Sequence, residues 1–245
     1  MARRRNVTQK RRSSRKIWIH HFEKLGAAQY FQSLRNHLRS HTLQIEPKSD
    51  ATTPQQLIHN VLKNIRLNKD ERYNLRDIHW LVIDVDSFVQ QGHDQLAGAL
   101  AEVKRKDQKL RAEVRRESGE LTEELETEID RGYLKVCYFN ECFETWVLMH
   151  FAPNPPVIRR GPRLAEKINS YFEAHGLGQF SKNKPVFDTL LEENRFDNVV
   201  KSMQLNSPSF QHVTITDLQA ANYPSTNVHF LLEDVDSLEN GRLLK

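Results

Sequence analysis

Three stretches of the chain read as strands: "KIWIHHF" (16–22), where bulky and β-prone residues alternate, the continuous apolar run "IHWLVID" (78–84), and "YLKVCYF" (133–139). A strand that faces solvent alternates apolar and polar positions, so the unbroken run at 78–84 predicts a central strand buried on both faces, as in a mainly parallel sheet. A shorter strand is predicted at "HTLQIEP" (41–47), stopped by Pro47. Between the runs the period changes to that of a helix. In 27–40 Tyr30, Phe31, Leu34 and Leu38 share one face. In 52–68 Thr53 caps the helix, Pro54 opens it, and Leu57, Ile58, Val61, Leu62 and Ile65 form its stripe. Further helices are predicted over 93–131, 142–151, 163–175, 185–204 and 226–238, after a Pro-rich break at 152–162. Strands alternating with helices, followed by more helices, define an α/β layer sandwich around a mainly parallel sheet of about four strands.

Charge changes this picture in two places. Residues 1–16 hold eight Lys/Arg and no acid, so a total of +4 leaves the remaining chain at −4. Such a tail is either a solubilising segment or an arm that grips phosphates through Arg3, Arg4, Arg5, Arg11 and Arg12. From Glu102 to Arg131, 18 of 30 residues are charged, which predicts a protruding, solvated helix or hairpin with its turn at Ser118-Gly119. The organisation expected is therefore a basic tail (1–16), an α/β core (17–151) carrying the charged insertion, and a helical part (152–245) packed on it. No apolar run reaches the ~20 residues of a membrane span. Mean hydropathy is −0.68. Cys137 and Cys142 are the only cysteines and form no framework. A cytoplasmic location and no membrane partner are expected.

The tetrapeptide DVDS occurs twice, at 84–87 and 234–237. Residues i and i+2 of a strand point the same way, so Asp84 and Asp86 can aim two carboxylates at one point where the strand meets solvent. Mg²⁺ would offset their repulsion, since it favours one or two carboxylates and retained waters. The plainer alternative is an acidic turn. Asp234 and Asp236 fall in a helical pattern, diverge by about 200° and cannot share a ligand. They are expected on a solvated face.

Several segments occur together in order: "YFQSLR", "WLVIDVD", "YFNECFETWVLMHF" and "NYPSTNVHFLLEDV". Over about 16–240 they resemble the RloB family, proteins with a Toprim-like domain found near restriction–modification and phage-defence genes. The resemblance implies Mg²⁺-dependent (or Mn²⁺-dependent) cleavage of DNA or RNA, tRNA included, often beside an ATPase of the RloA type. It assigns the metal pair to Asp84 and Asp86 and an acid to Glu144, with Asn140, Cys142, Trp146 and His150 as motif positions. The family turn after the first strand resembles C-E-G-x-x-T-E-x-x-Y-F, whereas this chain reads "HFEKLGAAQYF". Phe22 and Ala27 stand at the glutamate positions and Glu23 at the glycine. A one-residue slip would let Glu23 substitute, with Lys24 contacting nucleic acid. His21 could assist, though polar strand-end packing is its plainer role. Two readings follow: a metal-dependent nuclease, or a Toprim-fold subunit that binds nucleic acid or an ATPase without cleaving. A Rossmann-type nucleotide binder is disfavoured, because no Gly-rich loop follows the first strand. Self-association is left open.

Overall fold

These three stretches become the inner strands of one sheet. The computed structural model describes residues 15–22, 26–66, 73–85, 93–140, 142–152, 161–181, 187–191, 193–206, 214, 225–241 and 243–244. β1 (Ile17–His20), β2 (Leu43–Ile45), β3 (Ile78–Asp84) and β4 (Leu134–Asn140) lie in the order β2-β1-β3-β4, all parallel. All seven residues of β3 are buried, as a strand covered on both faces requires. The pattern did not anticipate β5 (Ser225–Thr226), which pairs antiparallel with the end of β4. Two residues carry no readable period.

Register sorts the sheet's side chains. Ile19, Trp80 and Lys135 lie side by side on one face, continued by Val82, Asp84, Cys137 and Phe139. Here pack α1 (Ala27–Leu38), α5 (Phe143–Met149), α6 (Pro162–Ala174), α7 (Phe187–Leu190), α8 (Glu193–Asn206) and α9 (Val228–Leu238). Leu81, Ile83, Val136 and Tyr138 face the other layer, built from α2 (Pro54–Arg66), α3 (His93–Ser118) and α4 (Glu123–Arg131). This is a Toprim-like layered α/β fold. Residues after 151 share the first face's core through Ile168, Phe172, Val199 and Leu231. Among the described residues no helix is long and apolar enough to cross a membrane.

Two expectations drawn from charge need correction. The hairpin α3–α4 turns at 119–122 as expected but does not protrude. Leu96, Leu100, Val103, Leu110, Val114 and Ile129 are buried against the sheet. Their spacing is a helical stripe that the surrounding charges conceal; each charged side chain occupies the outer face or a specific pair. Asp107 is one such pair: fully buried, it accepts from the backbone N–H groups of Tyr133 (2.7 Å) and Leu134 (2.9 Å) and from Arg111 Nε (2.6 Å). The approach is close enough that a Cβ on Gly132, at φ +81°, would lie 2.8 Å from Asp107. The expected tail also ends before residue 15. Arg15 donates through Nε to Arg76 O (2.8 Å) and lies 3.3 Å from Glu128. Lys16 N donates to Asp77 Oδ1 (3.0 Å). Arg3, Arg4, Arg5, Arg11 and Arg12 lie outside the described residues.

Asp107→Ala should strand two buried N–H groups and a guanidinium, lowering unfolding free energy by about 3 kcal/mol. Arg115→Ala, which removes half-exposed pairs to Glu126 and Asp130 on the same hairpin, should leave the urea midpoint unchanged. Equal losses would show that Asp107 does not anchor the hairpin.

Candidate functional site

In an open parallel sheet the strands deliver their carboxyl ends to one edge, where chain and solvent meet. β3 ends there at Asp84, whose side chain is 6% exposed, and β4 pairs it with Phe139. Val85 N donates to Phe139 O (3.1 Å), which keeps β3 in register past its last residue. Beyond Asn140, Cys142 takes the N-terminal position of α5 in extended conformation, and Glu144 sits in that helix's first turn. Buried Phe139 and Phe143, 5.3 Å apart edge to face, wall this corner from beneath.

Cys142 reports how the acids are grouped. Burial pushes its thiol up, the charges of Glu144 and Asp84 push it further, and its S–H bonds to the Glu144 carboxylate. The buried Cys137 thiol is also raised, first by burial and then by Asp84. Two carboxylates from different elements therefore act on one neutral thiol. Asp86, Glu23 and Lys24 lie outside the described residues. Among the described residues no group of three or more His, Cys, Asp or Glu side chains is arranged to hold a metal ion. The donors that are described, carboxylate oxygens beside a protonated thiol, suit a hard cation of the Mg²⁺ kind better than a thiolate-seeking one.

Of the turn after β1, residues 21, 22, 26 and 27 are described. His21 donates through Nε2 to Glu46 O (2.9 Å), at the end of β2. Phe22 packs against the core that contains Leu81 and Ile83, on the face opposite Asp84. Ala27 is buried in the first turn of α1. The plainer role of His21 holds. His20 likewise meets His79, with 3.1 Å between Nε2 and Nδ1, and burial holds His79 down to about 3.

The other motif positions are structural. Trp146 and His150 are buried, at 1% and 0% exposure. Trp146 O lies 3.1 Å from His150 Nδ1; a carbonyl only accepts, so Nδ1 carries the proton and Nε2 accepts from Tyr30 OH (3.1 Å). The imidazole therefore joins α1 and α5, and Asn198 of α8 donates to the same residue's backbone carbonyl. Of Asn140 the backbone is described, paired with Ser225. Residue-type reasoning did not single out Asn227. It is fully buried; its Oδ1 accepts from Tyr138 N (2.9 Å) and its Nδ2 donates to Val136 O (2.7 Å). The side-chain amide extends β5 along the edge of β4, and the polar "STN" just before an apolar helix is the signal that marks it.

The second DVDS is corrected here. It lies on α9 as expected and its aspartates diverge, but the face is not solvated. Asp234 is 6% exposed and pairs with Lys135 Nζ at 2.7 Å. Asp236 Oδ1 accepts from Leu243 N (2.6 Å) and Leu244 N (3.1 Å), closing the C-terminal turn.

The sequence model of the RloB-like protein family matches residues 26–235, most of the chain. No curated protein and no solved structure matches it.

Burial holds the His150 imidazole down, to about 4 from an ordinary 6.5. The folded state then favours the neutral ring, so its stabilising contribution is complete above pH 6.5 and fades as pH falls towards 4. The shift corresponds to roughly 3 kcal/mol. Urea titrations of the wild type and His150→Gln should show the wild type's advantage shrinking by about that much between pH 7 and pH 4. A constant difference would contradict the neutral, doubly bonded ring.

Proposed function

The chain belongs to the RloB-like protein family, and from that premise we propose that it hydrolyses nucleic-acid phosphodiester bonds with a divalent cation held at the carboxyl ends of β3 and β4. The observation that carries this reading is the placement of Asp84 at the carboxyl end of β3, paired with Phe139, and of Glu144 in the first turn of the helix that follows β4, with both acids raising the Cys142 thiol. Asp84, Asp86 and Glu144 are the residues that would hold Mg²⁺ or Mn²⁺. When bound, the cation supplies charge stabilisation at a phosphate and an acidified water. Asp84 contributes a carboxylate fixed in direction by the β3–β4 register. Glu144 is more exposed than Asp84, on a helix's first turn, and is suited to orienting a water or holding its proton. Phe139 and Phe143 keep solvent from the inner side.

The basic residues 1–14 would supply sequence-independent phosphate contacts. Arg15 stands at the amino end of β1, and parallel strands put Asp84 at the opposite end, about 20 Å away along β3. Fourteen residues can span up to about 46 Å, so the tail is long enough to grip nucleotides on either side of the cleaved bond. The same proposal extends to a role in anti-phage defence beside an ATPase of the RloA type.

A second reading, a subunit that binds without cleaving, is favoured by one observation. The turn after β1 has Phe22 packed away from Asp84 and His21 bonded to Glu46 O, so the positions that carry glutamates in the resembling pattern bring no carboxylate.

Purified protein with Mg²⁺ or Mn²⁺ should cleave DNA, RNA or tRNA, alone or with its ATPase. Asp84→Asn and Glu144→Gln should each lower the rate by about a hundredfold or more, beyond the roughly 10–100-fold typical of groups that only orient a ligand. Binding without cleavage under all conditions would establish the second reading. Cleavage unchanged in both variants would reject the site.

A further inference from the structure

Towards the amino ends of β3 and β4 lies a cavity of about 380 Å³, bordered by Trp80, Arg131, Lys135, Phe230, Glu233 and Asp234. Trp80 precedes Asp84 by four residues of strand, which separates the two places by about 13 Å. The cavity contains an ion pair that its surroundings do not finish. Lys135 is 5% exposed, and its ammonium rests 5.3 Å from the Trp80 ring. An ammonium has three N–H donors. Among the described residues Lys135 uses one, to Asp234 Oδ2 at 2.7 Å. The same Oδ2 accepts from Trp80 Nε1 (3.0 Å), so both protein donors converge on one oxygen. Oδ1 has no hydrogen-bond partner among the described residues. A buried pair kept only to fasten α9 to β4 would be expected to close over these groups, because unmet buried donors cost about 1–3 kcal/mol each. Here they border open space.

Charge narrows what fills that space. Lys135 cancels Asp234, and Asp236, which also lines the cavity, is bonded to two backbone N–H groups. Arg131 and Glu233, both exposed at the rim, balance each other. Two cations against three carboxylates in the lining disfavour an anion, and a metal ion at the pair would have to displace the ammonium. A neutral ligand fits, provided it offers an acceptor to Lys135 beside a donor for Asp234. Half-buried Phe230 provides aromatic contact for a planar one. Adjacent acceptor and donor atoms on a flat neutral ring are the chemistry of a nucleobase edge, and the volume suits a nucleoside.

We propose that this cavity is a nucleobase-binding site, in which Lys135 donates to a ring or carbonyl acceptor and Asp234 Oδ1 accepts from the neighbouring N–H. The base belongs either to a free nucleoside or to a single strand. The site shares no residue with the carboxylate corner at Asp84, and the proposal stands whether or not the protein cleaves nucleic acid.

Calorimetric titration of the full chain, without divalent cation, separates the sources. One arm uses adenosine, cytidine, guanosine and uridine; the other uses single-stranded hexamers of each base. At least one probe should bind with Kd of about 1 mM or tighter. Ser237 lines the cavity from its exposed rim, so Ser237→Phe should fill the cavity without breaking the ion pair. It should weaken binding by about tenfold or more with an unchanged melting temperature. Lys135→Met, checked for folding by circular dichroism, should weaken binding as much but also lower the melting temperature, because buried Asp234 loses its partner. Binding of hexamers alone, lost in Ser237→Phe, would assign the base to a strand. No binding by any probe, or binding that survives both substitutions, would overturn the proposal and leave a structural ion pair beside water.

Discussion

A sheet covered on both faces leaves no solvent for polar side chains on its inner strands, and this constraint organises the molecule. Each polar group on β3 and β4 has to be met by another element. His79 on β3 meets His20 on β1. Lys135 on β4 meets Asp234 on α9. The backbone at the start of β4 is met by Asp107 on α3, and its unpaired edge by Asn227. These contacts fix which helix lies on which face, so the layers follow from satisfying a few buried groups as well as from burying apolar area.

The same constraint separates two polar ends of the sheet. At the carboxyl end, Asp84 and Glu144 gather around a thiol that burial and both charges keep protonated. Carboxylates brought to a strand end from two different elements suit a hard metal ion. At the amino end, cations and anions are interleaved: Arg15 and Arg76 with Glu128, Lys135 with Asp234. One end therefore has a sign and the other has a pattern. That difference makes a metal-dependent reaction the natural reading of the first and recognition of a neutral ring the natural reading of the second.

Much of this was legible in the chain because it depends on neighbours in sequence. Unbroken apolar runs specify doubly covered strands, and β3 occupies the whole of its run, 78–84. The period of two puts Asp84 on the same face as Val82 and Trp80, and the period of 3.6 separates Asp234 from Asp236. The charged hairpin was misread for the same reason: counting charges over 102–131 averages away the stripe from Val103 to Ile129, which only the direction of each side chain separates from the outer face.

What the sequence determined alone is periodicity: which runs become strands, which become helices, and which copy of DVDS stands at a strand end. Tertiary structure decided where the charges went. Asp234 and Lys135 are 99 residues apart, and nothing near either one in the chain says that they meet. Whether an aspartate on a helix is solvated or buried depends on the free-energy cost of desolvating it against the gain from a partner, and that partner is supplied only when α9 closes over β4.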